Sequence, residues 1–373
     1  MFQLKKWFIV SLTLSLLALS ALVFLVSRRI QSQPIEGKTD SKISQSTTLP
    51  FLSSPPSSPS TEPSSSPVKE VDGSKPAPNQ AVKTKSDQAK QASMEADRET
   101  MQAHGLEYAY DKLSLPDLIK TYLDQQGIDH SQVAFSYRNL KTGQTYAMNE
   151  TAPMTAGSTY KLPLNMLVVD AAKEGKLSYD KVYDISQLDY ENESEYRAYL
   201  SQFPQGMRIS DMQEYSLVYS ENTPAYALAH ILGGFDRFHD LLPRYGQSSA
   251  ANLPNINKEN KTTTDYFIQV LTYLYDHRDQ YQDVRHYIGI SFENQYYKQL
   301  NPDLVIEQKP GYVREALNVS ALVYEKEPYA IALYTAGLGG ANESTDEVNE
   351  IGYSQLIQLC YLINEWHRIN MNP

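Results

Sequence analysis

The chain of 373 residues has a single cysteine, Cys360, so no intrachain disulfide can form and any folded part must be held by its own core. That cysteine lies in an apolar helical pattern, where a free thiol is expected to be buried. Basic charge is also short: 33 Lys and Arg against 44 Asp and Glu leave a formal net charge of −11. Phosphate binding needs a basic face, so a nucleic-acid partner is excluded. The seven histidines show no ligand spacing with Cys, Asp or one another, and neither a metal nor any other cofactor is expected. No internal repeat is found.

One long apolar run is present. Trp7 to Val26 is apolar apart from scattered Ser and Thr, is bracketed by Lys5-Lys6 and Arg28-Arg29, and is long enough to span a bilayer. It reads as an uncleaved signal anchor, because it exceeds a usual signal-peptide core and no clear small-x-small cleavage site precedes the arginines. A cleaved signal peptide is the competing reading. From about Ile30 the chain turns to Ser, Pro, Thr, Lys, Gln and Glu, with 53–67 almost entirely Ser and Pro. Such a tract buries too little to offset its ordering entropy and is expected to be a disordered tether. The expected layout is therefore a short tip and anchor over 1–29, whose orientation the positive charge on both flanks leaves open, a linker over 30–104 and one domain over 105–373, with roughly enough residues for a sizeable core.

Within that domain three short stretches carry chemistry: Ser158-Thr159-Tyr160-Lys161, Ser220-Glu221-Asn222 and Lys309-Pro310-Gly311. A serine hydroxyl needs an adjacent base, and a lysine becomes one only when burial or neighbouring positive charge lowers its pKa. Serine and lysine three residues apart share one face if the stretch opens a helix. The run Leu162 to Gly175 has the apolar character of a buried helix, with Pro163 early enough to be tolerated. A lone S-x-x-K arises by chance in many chains, whereas the three stretches in this order do not.

The pattern S-x-x-K, S-x-N, K-x-G resembles class A β-lactamases and penicillin-binding proteins, over roughly 105 to 370. The resemblance implies an α+β fold: an antiparallel five-stranded sheet covered by helices, with an inserted all-helical lobe. Helical patterns at 115–126, 162–175, 209–220, 225–232, 265–278 and 353–368, and strand patterns at 133–137, 145–148, 318–324 and 329–335, fit that layout. It also implies roles. Ser158 would be the nucleophile, Lys161 its base, and Ser220 the relay to the leaving nitrogen. Asn222 would hold the substrate amide and Lys309 would set positive charge near a substrate carboxylate. Gly311 belongs to the third motif, and the backbone N–H groups of Ser158 and Tyr312 would form the oxyanion hole.

Three departures bear on activity. The usual aspartate of the second motif is Glu221. The usual threonine of the third is Pro310, which removes a hydroxyl that Arg314 could replace, with a merely exposed arginine near a strand end as the competing reading. The glutamate that serves deacylation in the family's lactamases falls, counting back from Thr262-Thr263-Thr264, at Ser248, with the accompanying asparagine at Asn252; Glu259 lies too close to the threonines to match. Slow deacylation is the expected result. A further stretch, Leu188 to Tyr199, is acidic and tyrosine-rich; it reads as a solvated loop, and if it borders the site it disfavours anionic substrates. Two functions follow. One is a membrane-tethered, extracytoplasmic serine acyl enzyme acting on a β-lactam or a D-Ala-D-Ala-like amide. The other is an idle relative that binds cell-wall peptide or a partner protein through the same cleft.

Overall fold

Strict two-residue alternation builds the centre of the molecule. In Tyr329–Thr335, residues Tyr329, Ile331 and Leu333 point into one apolar cluster, and Ala330, Ala332 and Tyr334 into the other. Both faces of this strand are therefore covered. The structure, a computed structural model, describes residues 86–250 and 259–371, all within one compact unit spanning 76–373. The expected membrane segment, the Ser/Pro tract and Asn252 lie outside the described residues. Among the described residues no helix is long and apolar enough to cross a membrane.

Five strands, β1 (Val133–Asn139), β2 (Thr145–Met148), β3 (Ile306–Val313), β4 (Ala316–Val323) and β5 (Tyr329–Thr335), form one antiparallel sheet in the order β2-β1-β5-β4-β3. One face carries the helices Leu115–Gln126 and Glu350–Asn370; the cluster there includes Tyr122, Leu356, Cys360 and Trp366. The other face carries Thr264–Asp276 and leads into the helical region between β2 and β3. At the centre of that region is the helix Lys161–Lys173, whose residues 161 to 171 are all buried. Pro163 is its third residue, where the missing N–H has no partner to lose. The five-stranded antiparallel sheet with helical cover and a helical insertion is as expected from the sequence.

Two expectations are corrected. Residues 87–104, assigned above to the disordered linker, form the helices Asp87–Ala96 and Arg98–His104. Ser86 caps the first through Oγ, which accepts from Ala89 N at 3.3 Å, and Met101 is buried at 3% exposure. Asp97 pairs with Arg368 of the C-terminal helix at 3.0 Å. The segment lacks an apolar stripe of its own, so nothing in its pattern announces a docked helix. The acidic stretch is likewise no solvated loop: Asn192 caps the helix Glu193–Gln202, whose Oδ1 accepts from Ser194 N and Glu195 N, and Tyr196 and Tyr199 are buried.

A domain that starts at residue 105 should therefore be less stable than one that starts at 86. Fully burying a methionine contributes about 2 kcal/mol, and a domain of this size shifts by about 2–4 °C per kcal/mol. Calorimetry should find the shorter form melting about 5 °C lower; equal melting temperatures would mean that the two helices do not hold the core.

Candidate functional site

The first motif is a tight turn pressed against a strand. Gly157–Tyr160 form a single 3-10 turn that runs straight into the helix Lys161–Lys173, with Gly157 at a left-handed φ of +54°. A Cβ at Gly311 would lie 2.6 Å from Ala156 O and 2.9 Å from Thr159 Cγ2, so only glycine lets β3 approach this closely. Buried polar groups fasten the turn from behind. Asn318 Nδ2 donates to Thr155 O at 2.7 Å and to Ala156 O at 3.1 Å, and Tyr334 OH donates to Thr159 Oγ1 at 2.9 Å.

Strand register explains how Pro310 is tolerated. Pro310 pairs with Val319 and Tyr312 with Leu317. In an antiparallel pair, residues two apart are both hydrogen-bonded or both not, and proline has no N–H to exchange. Pro310 and Tyr312 therefore turn their inward-outward sense the same way, with the Tyr312 N–H directed off the ladder. β3 is the sheet's edge strand, so this side faces the turn that carries Ser158.

Two buried amines meet at Ser220. Lys161 Nζ donates to Ser220 O at 2.5 Å and to Asn222 Oδ1 at 2.6 Å, while Lys309 Nζ donates to Ser220 Oγ at 2.8 Å and to Pro310 O at 3.1 Å. Ser220 can serve both because it interrupts two helices, Ile209–Val218 and Asn222–Ile231, at a left-handed φ of +63°, leaving carbonyl and hydroxyl outside either helical ladder. Both lysines are fully buried. Burial lowers the Lys161 pKa to about 7 against the pull of Glu195, Glu191 and Glu221; burial and the neighbouring Lys161 push Lys309 well below its ordinary value. Glu221, in the place of the usual aspartate, has its carboxyl raised by partial burial and by Glu195.

Ser158, Lys161, Ser220, Asn222, Lys309, Gly311 and the backbone of Tyr312 thus come from distant parts of the chain to one place. Arg314 is not gathered with them by any hydrogen bond or ion pair among the described residues. It is exposed in the two-residue turn between β3 and β4, at a φ of +49°.

Sequence reasoning missed two carboxylates. Glu191 Oε2 accepts from Asn222 Nδ2 at 3.0 Å, and Glu195 Oε1 accepts from Thr223 N at 2.6 Å. The only signal available was the density of acids in Leu188 to Tyr199, and charge density alone does not say which way a segment folds. A further carboxylate, Asp265, engages the segment that begins at Ser248. It receives Ser248 Oγ at 2.7 Å, Ser249 N at 2.7 Å and Thr263 Oγ1. Partial burial raises its carboxyl, but these donors outweigh that and hold it below the usual range. Ser248 is thus engaged by Asp265 and Thr263 at the start of a segment that bears no acid from 247 to 254.

Comparison with known proteins agrees with the geometry. The model of the "Beta-lactamase enzyme family" matches residues 115–358, well over half of the chain. Among solved structures, TLA-3 extended-spectrum beta-lactamase is 19% identical with a TM-score of 0.54, over 67% of this chain and 96% of that one. A beta-lactamase from Chitinophaga pinensis DSM 2588 is 19% identical with a TM-score of 0.53, over 62% and 92%. An ancestral class A beta-lactamase is 18% identical with a TM-score of 0.54, over 68% and 99%. At such identities the likeness is one of fold. No curated protein sequence matches the chain.

The contact between the turn and β3 can be tested directly. Gly311→Ala forces backbone to shift, and overpacking of this kind costs about 1–3 kcal/mol. Thermal unfolding should move down by several degrees, and an unchanged midpoint would mean that the turn is not clamped against the strand.

Proposed function

Since this chain belongs to the beta-lactamase enzyme family, we propose that it is a serine acyl enzyme that opens a β-lactam or a D-Ala-D-Ala-like amide and deacylates slowly. In this reading 1–29 is a membrane anchor, the Ser/Pro-rich tract is a tether, and the C-terminal domain works outside the cell membrane; it would be secreted if the apolar segment is cleaved. The single observation that carries the reading is the convergence of two buried lysine amines on Ser220. A protein that only binds has little need to bury two amines there, since taking a cation out of water is costly unless its altered pKa is used.

The chemistry follows from the bonds. In its neutral form Lys161 keeps two N–H bonds, enough for Ser220 O and Asn222 Oδ1, and one lone pair to take the Ser158 proton. Ser158 Oγ then attacks the carbonyl carbon, and the oxyanion is received by the N–H groups of Ser158 and Tyr312. The Ser220 hydroxyl gives its proton to the leaving nitrogen as the C–N bond breaks, and Lys309 Nζ, bonded to that hydroxyl and in its protonated form at this step, restores it and is left neutral, while Lys161 holds the proton taken from Ser158. With its pKa lowered, Lys309 suits this proton traffic better than a fixed positive charge for a substrate carboxylate. The acyl-enzyme would then wait for water. Ser248 supplies no carboxylate to activate it.

The idle-binder reading draws support from Pro310, which offers no hydroxyl, and from the same Ser248. Intact-mass measurement separates the two. A penicillin should add covalently to the domain and Ser158→Ala should abolish the adduct; no adduct at millimolar drug defeats the acyl-enzyme reading. Labelling should also depend on pH in a defined sense. The neutral Lys161 amine is the base and its pKa is about 7, so the labelling rate should rise roughly tenfold between about pH 6 and pH 8 and then level off. A rate that is flat across that range would exclude Lys161 as the base.

Deacylation gives the second test. General-base help is typically worth about a hundred- to ten-thousand-fold, and without it the Ser158 adduct should persist for many minutes while a chromogenic cephalosporin turns over slowly. Fast multiple turnover would mean that another group serves the water, with Glu221 and Glu259 the first to replace.

A further inference from the structure

In the free protein both polar atoms of the Asn222 side chain are taken. Oδ1 accepts from Lys161 Nζ at 2.6 Å, and Nδ2 donates to Glu191 Oε2 at 3.0 Å. A substrate that presents its acyl-side carbonyl to Asn222 must therefore remove a carboxylate that is already there. We propose that Glu191 is a specificity-determining residue, displaced from Asn222 by substrate, and that the exchange favours substrates with a cationic acyl-side group over neutral ones and neutral over anionic ones. The proposal rests on the acyl-enzyme reading only in taking Asn222 as a substrate contact.

The physical reason is the unequal worth of the two acceptors. A carboxylate accepts an N–H more strongly than a neutral carbonyl does, so the swap is uphill unless the released carboxylate finds another partner. A protonated amine beside the scissile amide is such a partner. Glu191 is free to move toward it, because it is exposed and lies in the non-helical segment before Asn192. Glu195 is not, since it is bonded to Thr223 N at 2.6 Å at the start of the helix Asn222–Ile231. An anionic acyl group would meet Glu191 displaced, Glu195 fixed and Glu221 beside them. Pairs at exposed positions are screened, so each step of charge should change affinity by a few-fold.

The test uses three penicillins that share one ring system and carry an amine, a hydrogen or a carboxylate on the acyl-side carbon. Their binding to the full-length Ser158→Ala protein is measured by calorimetry at about pH 6, where an α-amino group is protonated. Without the nucleophile, binding is read whether or not the chain is an acyl enzyme. The cationic compound should bind about tenfold more tightly than the anionic one. Adding Glu191→Gln should bring the three within about twofold and tighten the neutral one. Equal affinities, an order unchanged by Glu191→Gln, or no binding by any of the three would overturn the proposal. Charge-ordered binding to the Ser158→Ala protein together with no covalent adduct on the unmodified chain would support Glu191 in this role and defeat the acyl-enzyme reading alone.

Discussion

The burial of two amines within reach of one serine constrains everything around them. A buried cation is costly, and the cost falls only when the group gives up its charge or finds close acceptors. Here both happen: burial shifts Lys161 and Lys309 toward neutrality, and Ser220 O, Ser220 Oγ, Asn222 Oδ1 and Pro310 O accept their remaining hydrogens. Those acceptors sit where they do because the chain breaks between two helices at Ser220. They also need the helix Lys161–Lys173 to be packed on all sides and β3 to lie against its first turn. The helical insertion and the sheet edge are thus two halves of one polar pocket.

A second polar system does comparable work further along the same helix. Asp170 is buried at 3% exposure and accepts from Tyr245 OH and Tyr281 OH, each at 2.8 Å, with Arg244 Nε at 3.1 Å. Asn165 Nδ2 bonds Lys161 O at 2.8 Å and Ser216 Oγ at 3.0 Å, tying the helix that carries Lys161 to the one that leads to Ser220. A fully buried helix held by such bonds has one register, and that register sets where the Lys161 amine ends.

Much of this was legible from residue order. The S-x-x-K, S-x-N and K-x-G stretches contain the lysines and the serine that the fold brings into contact, and strands 145–148 and 329–335 were bounded as found because period-two patterns and turn residues agreed there. What stayed hidden depends on contacts between distant segments. The helices at 87–104 are polar along most of their length and fold through Met101 and Asp97 against a helix some 260 residues away, which local periodicity cannot register. Glu191 and Glu195 were visible as acids, but only the cap at Asn192 and the burial of Tyr196 and Tyr199 turn that stretch toward Asn222. Asp265 was overlooked because the search for an acid ran backward from the threonines, whereas the fold brings in the residue just after them.

Pro310 has a consequence beyond the loss of a hydroxyl. An edge strand offers its outward donors and acceptors to any extended peptide laid beside it, and this is how many clefts take up a substrate backbone by strand addition. On β3 the outward donors belong to alternate residues, and the one at 310 is missing. An extended ligand can be gripped at Tyr312 and then finds no second N–H next along the strand. An extended ligand laid along this edge therefore has one point of backbone contact rather than two, and the same gap makes the edge a poor template for a strand from another molecule.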